Sequence, residues 1–263
     1  MASIAPQRSR PSSSPAAPTN NTSNIPATFS PHIAHLLNTL HAESLAQEHA
    51  IDKARWSSIR AQLKSANSSK DHDNATQQMD ELMLDKFIAL DQDKCLFIYN
   101  TLLAIGAEVV VEAGTSFGVS TIYLALAVAK CGGRDSRPRV IATEKEEQKA
   151  EKARGIWKQC GMEVEDVIDL RVGDLQETLK EDLGGDGQFV DALLLDIWPY
   201  VAVPALKLVQ SRMRRNSVVF VDNTISSREG YQELLSILRN PSGPWRSVTL
   251  PFSGGLEMAV YQP

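Results

Sequence analysis

The sequence is poor in the features that mark secreted, membrane-spanning and thiolate-metal proteins. It has three cysteines in 263 residues, Cys95, Cys131 and Cys160, and no CxxC pair, which argues against a disulfide framework and against a thiolate zinc site. The longest apolar stretch, residues 119–129, falls well short of the roughly 20 residues that a membrane-spanning helix requires. We therefore expect a cytoplasmic protein without a membrane partner.

Positive charge and histidine are also scarce. Acidic residues outnumber basic ones and give a net charge of −5, whereas binding to a phosphate backbone needs a basic face, so no nucleic-acid partner is expected. All five histidines precede residue 73, which excludes a Ser-His-Asp hydrolase built from the later part of the chain. A histidine could act as a base only if the N-terminal helices fold over a site.

The first third of the chain falls into two parts. Residues 1–30 carry five prolines among Ser, Asn and Thr and no apolar secretory core, which predicts a disordered tail. Residues 31–106 form a helical region that we expect to act as a cap or to build a homodimer, because apolar side chains on an appended helix need burial. Apolar spacing over 31–65 predicts one long helix or two shorter ones.

The remainder of this helical region contains a break and two further predicted helices. Residues 66–76 are a polar break, and residues 81–88 and 93–105 have helical spacing, the second stretch ending at Gly106.

From residue 107 to 263 the chain alternates between strand-like and helical stretches. The predicted strands are continuous apolar runs such as VVV, LLL and VVFV, which is typical of parallel strands covered on both faces. Alternation of this kind predicts a Rossmann-like, doubly wound α/β domain. Its first five strands are predicted over 108–113, 139–143, 167–172, 192–196 and 217–221.

The last two strand-like runs, residues 246–250 and 257–261, are separated by too few residues for a crossover helix. They must therefore form an antiparallel hairpin. A mostly parallel seven-stranded sheet that ends in a hairpin separates Rossmann-like methyltransferases from nicotinamide dehydrogenases.

A glycine turn follows the first predicted strand in the stretch VEAGTSFG. Gly114 permits a sharp turn and close approach of a ligand, and Gly118 lets the next helix start close to the sheet. Ser116 stands where a dinucleotide-binding G-x-G-x-x-G motif would have its second glycine. Glu112 would repel a pyrophosphate but suits the ammonium of a methionine moiety. The alternative is a turn that merely packs helix against strand.

Acidic residues follow the next two strands. Glu144, at the end of the second strand, can accept both hydroxyls of a ribose, although an acid at a helix N-terminus is favoured by the helix dipole in any case. After the third strand, Asp174 or Gln176 can face an adenine edge. Asp174 can equally be a helix N-cap.

Oxygen-bearing side chains also follow the fourth and fifth strands. Asp196, Asp222 and Asn223 lie where ligands bind in open α/β sheets, and three oxygen ligands suit Mg²⁺. A strand-end carboxylate without a metal and a turn into the next helix are the alternatives. If the metal is present, it can lower the pKa of an acceptor hydroxyl, and a chelator should abolish activity.

With these motifs in order, residues 81–263 resemble class I S-adenosylmethionine-dependent methyltransferases, and most closely the small-molecule O-methyltransferases related to the catechol and caffeoyl-CoA enzymes. The stretches VVVEAGTSFGVSTIYLALA and GLEMAVY carry the likeness. The resemblance implies that Glu144 holds the ribose and that Asp174 and Gln176 lie near the adenine. It also implies a metal at Asp196, Asp222 and Asn223, with Asp196 central to catalysis. Residues implied to line the rest of the donor site are Glu112, Gly114, Thr115, Ser116, Gly118, Ser120, Asp196 and Trp198.

Two departures from that family bear on the acceptor. Pro199 stands where the catechol enzymes have a lysine base, and Val248 stands, by counting, where they have a carboxylate for the second catechol oxygen. The sequence therefore predicts methyl transfer to a hydroxyl of a small molecule with an unidentified base. A nicotinamide-dependent oxidoreductase and a non-catalytic nucleoside-binding module are the alternatives. Trp198 and Tyr200 could wall an aromatic acceptor or serve only in packing.

Overall fold

The computed structural model describes residues 25–65, 68–133, 137–183, 185 and 187–263. Seven strands form one sheet in the order β3-β2-β1-β4-β5-β7-β6. The first five are parallel, and β7 pairs antiparallel with both β5 and β6. The predicted fold and its terminal hairpin are confirmed. The strands are β1 Val109–Ala113, β2 Arg139–Glu144, β3 Ile168–Val172, β4 Val190–Leu195, β5 Met213–Asp222, β6 Trp245–Leu250 and β7 Leu256–Tyr261.

The sheet is buried on both faces, as its continuous apolar strands require. Successive side chains of β1 enter different cores, with Val110 on one face and Val109 and Val111 on the other. Ten helices lie in the described part of the chain: α1 Pro31–His49, α2 Lys53–Ser65, α3 Ser69–Met83, α4 Gln92–Ile105, α5 Val119–Cys131, α6 Glu147–Cys160, α7 Met162–Glu165, α8 Leu175–Thr178, α9 Pro199–Gln210 and α10 Gln232–Leu238.

Two predictions for the N-terminal region are wrong. The predicted break at 66–76 coincides largely with α3, and the predicted helix at 81–88 is mostly an irregular segment that follows Met83. Ser68 caps α3 by accepting a hydrogen bond from the amide of Asp71 at 3.2 Å. The polar composition that suggested a break is thus compatible with a capped helix that buries Ala75, Met79 and Leu82.

Helix α1 buries several of its apolar side chains within its own chain, although Leu45 is exposed. Ile33 and Leu37 have no exposed surface and join the core formed with α4, α5 and α6, so their burial does not require a second copy. The predicted tail lies outside the described residues up to position 24. Residues 25–30 of that predicted tail are described, and among them Phe29 is buried against Tyr99 and Tyr123.

Helices α2 and α3 pack on each other through a small cluster of their own. Ile59, Met79 and Leu82 are its buried members, and Trp198 at the start of α9 packs against it. None of the described helices is long and apolar enough to span a membrane.

A partly buried histidine links α1 to α5. His41 Nε2 lies 3.0 Å from the hydroxyl oxygen of Tyr123. Burial lowers the pKa of His41 from 6.5 to about 4, against a smaller raising effect from the charge of Asp91. The folded state therefore holds His41 neutral at pH values where the unfolded chain protonates it.

This burial predicts a pH-dependent contribution to stability. Because the folded-state pKa is depressed, the unfolded chain binds more protons between pH 6.5 and about 4, and the free energy of unfolding falls as the pH is lowered through that window. We expect a loss of roughly 3 kcal/mol from this group. Urea denaturation at several pH values should show a smaller fall in His41→Gln, and equal falls in both proteins would contradict this account.

Candidate functional site

The turn after β1 is built so that only glycine fits at its first position. Gly114 has φ +91°, and a Cβ there would lie 2.1 Å from the backbone oxygen of Asp196. The amide of Asp196 donates to the carbonyl of Ala113 at 3.0 Å, and the amide of Thr115 donates to that of Thr143 at 2.9 Å. The ends of β1, β2 and β4 therefore meet at this turn.

Beneath the turn lies the carboxylate of Glu112, which has no exposed surface. The hydroxyls of Thr115, Ser120 and Thr121 donate to it at 2.8, 2.6 and 2.5 Å. Burial raises the pKa of Glu112, and the three hydroxyl bonds oppose that rise. This carboxylate thus fixes the turn to the first residues of α5 and does not itself face the cleft, so the geometry does not support a direct contact with a ligand ammonium.

The carboxylate of Glu144 lies beside the same turn. The amide of Ser116 donates to its Oε2 at 2.7 Å, and the amide of Glu146 donates to its Oε1 at 2.9 Å. Burial raises the pKa of Glu144, and these backbone bonds oppose the rise. Ser116 adopts a left-handed conformation with φ 50°, which aims its amide at the carboxylate.

Gly118 precedes α5 because an indole ring occupies the space of a side chain. A Cβ at Gly118 would lie 2.4 Å from Nε1 of Trp157, and that indole nitrogen donates to the carbonyl of Gly118 at 2.9 Å. The close approach expected here is therefore between α5 and α6, and not only between α5 and the sheet.

An irregular segment that the sequence analysis did not select covers the turn. Residues 87–90 face Gly114–Ser120 across a narrow cleft that Asp196 also lines. Helix α1 holds this segment in place, because Gln47 Oε1 accepts from the amide of Phe87 at 2.9 Å and Ser44 Oγ accepts from that of Ala89 at 2.7 Å.

Three predicted site residues lie at the edges of this arrangement. Asp174 is exposed and caps α8, where its side chain accepts from the amide of Gln176 at 2.9 Å. This helix cap does not by itself indicate that Asp174 or Gln176 contacts an adenine. Trp198 lies 6.5 Å, centre to centre, from the ring of Trp56, so its indole contacts the α2–α3 pair.

The predicted metal ligand Asp222 pairs with the ammonium of a lysine of the chain itself. Lys94 Nζ of α4 lies 2.7 Å from Asp222 Oδ1 and 2.9 Å from Asp91 Oδ2. The side-chain nitrogen Nδ2 of Asn223 donates to Asp222 Oδ2 at 2.7 Å, and the side-chain oxygen of Asn223 accepts from the Ser226 hydroxyl at 3.1 Å. Both residues are thus already engaged, and this arrangement does not fit the Mg²⁺ that the sequence suggested.

The pKa shifts of Lys94 and Asp196 are consistent with the ion pair between Lys94 and Asp222. Burial alone would lower the pKa of Lys94, but the charges of Asp222 and Asp91 outweigh it and raise that pKa, so the ammonium stays charged. Burial and the negative charge of Asp222 raise the pKa of Asp196, and Lys94 opposes them. Across the described residues, no cluster of three or more His, Cys, Asp or Glu is placed to hold a metal.

The sequence around Lys94 indicates that this lysine is buried. It precedes Cys95 and lies one turn before Ile98, both of which are buried, so a lysine stands on the inner side of an apolar helix. A fully buried lysine is rare unless it is paired. Which acid pairs with it depends on packing between α4 and the end of β5, which the sequence does not encode locally.

Residues 111–224 match the family model described as a methyltransferase domain. Over these residues the sequence is therefore similar to a methyltransferase domain. The match begins in β1 and ends just after β5, so it contains the glycine turn, Glu144 and both strand-end aspartates. The resemblance to class I methyltransferases that the motifs indicated is confirmed.

Solved structures show the same fold around the methyltransferase domain. The O-methyltransferase TomG from Streptomyces achromogenes, in complex with S-adenosylmethionine, is 19% identical, with a TM-score of 0.57 over 81% of this chain and 99% of that one. The O-methyltransferase from Bacillus cereus, bound to S-adenosylhomocysteine, is 16% identical, with a TM-score of 0.57 over 78% and 97%. The S-adenosylhomocysteine-bound methyltransferase PaMTH1 from Podospora anserina is 15% identical, with a TM-score of 0.54 over 86% and 96%. No curated protein matches the chain.

The glycine turn predicts a sharp difference between two glycine substitutions. Gly114→Ala forces a left-handed alanine into the backbone of Asp196 and should lower the free energy of unfolding by roughly 2–4 kcal/mol. Gly155→Ala, in the exposed part of α6 with nothing within 4 Å of its Cβ, should instead be neutral or stabilise by roughly 0.5–1 kcal/mol. Similar losses in both variants by urea denaturation would refute the steric role of the turn.

Proposed function

We propose that this chain transfers a methyl group from S-adenosylmethionine to a hydroxyl of a small molecule. The observation that carries the proposal is the glycine turn flanked by Glu112 and Glu144, at the ends of two neighbouring strands of a methyltransferase domain. Support also comes from O-methyltransferases with S-adenosylmethionine or S-adenosylhomocysteine that share the fold. A homodimer and a cytoplasmic location are predictions of the sequence that this proposal does not require.

The donor would lie along the cleft between residues 87–90 and the turn. The Glu144 carboxylate accepts from the backbone amides of Ser116 and Glu146, with a further backbone hydrogen bond from Lys145, and a carboxylate has about four acceptor positions, which leaves capacity for a ribose hydroxyl. Gly114 and Ser116 would line the methionine side. The remaining proposed donor contacts are Thr115, Gly118, Ser120, Asp174, Gln176, Asp196 and Trp198, with Glu112 holding the turn from below.

In methyl transfer the protein mainly aligns the methyl donor with the acceptor. A bound sulfonium supplies an activated methyl group, whose bond to sulfur breaks as the bond to the acceptor oxygen forms, and the donor leaves as a neutral thioether. Asp196 lines the cleft and is the group that we propose takes the hydroxyl proton. The cover formed by residues 87–90, and the α2–α3 pair that contacts Trp198, would limit water at the acceptor side.

Donor specificity can be tested by calorimetry. S-adenosylmethionine should bind with one site per chain and NAD should not. Glu144→Gln should weaken S-adenosylmethionine about 10- to 100-fold, because a charged acceptor of the ribose is lost. Glu147→Gln, three residues further on and exposed in α6, is the matched control and should bind as the wild type does. Tight binding of NAD without binding of S-adenosylmethionine would overturn the proposal.

Proton acceptance by Asp196 predicts a kinetic defect. Asp196→Asn should lower the rate of methyl transfer by about 10²- to 10⁴-fold, and by more than it lowers donor affinity. The assay follows label from S-adenosylmethionine into any component of a metabolite extract, and the labelled product identifies the acceptor. No transfer by the wild-type chain to any acceptor would favour a non-catalytic binding module instead.

A further inference from the structure

A lysine ammonium lies at the position where the sequence pattern suggests a divalent ion. The Lys94 side chain is 3% exposed, and the side chain of its partner Asp222 is 7% exposed. Asp91, the residue before α4, supplies the second carboxylate. The ammonium therefore has two charged partners and little contact with solvent.

This pairing accounts for the local charge. Asp196 and Asp222 end neighbouring strands, and each raises the cost of ionising the other. An uncompensated buried carboxylate is unfavourable by several kcal/mol, so a cation is needed where both are charged. Lys94 provides one charge from within the fold, and the oxygen of Asn223 is turned to Ser226 and is not directed at a shared central position.

We infer that Lys94 replaces a divalent cation in this methyltransferase domain, so that Asp196 and Asp222 work with a fixed internal ammonium and without a bound metal. Lys94 is then a positioning residue, which holds Asp222 and, through it, the charge beside Asp196. The catalytic part of this statement rests on the proposed function. The part concerning metal affinity does not.

Removal of the Lys94 ammonium should create affinity for a divalent cation. Lys94→Ala removes the ammonium from between the carboxylates of Asp91 and Asp222, and oxygen ligands of this kind suit a hard divalent cation. The variant should therefore gain affinity for such an ion, while the wild type should have none at this position.

Electron paramagnetic resonance with Mn²⁺ tests this directly, because protein-bound ion reduces the signal of the free ion. We expect no stoichiometric binding by the wild type and one Mn²⁺ per chain in Lys94→Ala, at least about tenfold tighter than any wild-type binding, which corresponds to roughly 1.4 kcal/mol. Asp222→Asn added to Lys94→Ala should abolish the gained site. Lys86→Met removes an exposed ion pair with Asp85 and is the control that should bind as the wild type does.

Two results would overturn the inference. One is a stoichiometric Mn²⁺ in the wild type that is lost in Asp222→Asn, and the other is a folded Lys94→Ala that gains no ion. If Lys94→Ala fails to fold by circular dichroism, the wild-type titration still decides. Calorimetry with S-adenosylmethionine on the same samples separates a failure of this inference from a failure of the proposed function.

Discussion

The carboxylate of Glu112 lies at the end of β1 without exposed surface, and hydroxyls from the following turn and from the first turn of α5 donate to it. A buried charge is stable only when it is hydrogen-bonded in this way. The same bonds hold the turn at Gly114 against β4 and bring the amide of Ser116 to Glu144. The cleft between this turn and residues 87–90 depends on that single buried network.

The fold could be read from the sequence because its signals are local. Continuous apolar strands, glycine turns and a final pair of strands too close for a crossover determine a parallel sheet with a terminal hairpin, and the turn at Gly114 lies where that sheet places ligands. The α3 helix was missed because its residues are polar and its cap at Ser68 resembles a loop. Helix formation there depends on packing of Met79 and Leu82 against α2.

The site was predictable only in part, since several of its features join segments that are distant along the chain. Residues 87–90 cover the cleft because α1 accepts their backbone amides through Gln47 and Ser44. Lys94 meets Asp222 across 128 positions of sequence. Glu112, Gly114 and Glu144 lie at one turn, which Glu112 supports from beneath. Residue types alone suggest a metal at Asp196, Asp222 and Asn223, because the sequence does not show that the ammonium of Lys94 lies beside Asp222.

The claim on which this account rests is that the turn after β1 is a donor site. A crystal structure of the chain grown with S-adenosylhomocysteine measures it most directly. The account predicts an adenosyl group between Gly114 and Glu144, with a ribose hydroxyl on the Glu144 carboxylate and the amino-acid part under residues 87–90. An adenosyl group elsewhere, or electron density at the turn for a dinucleotide carried through purification, would contradict it.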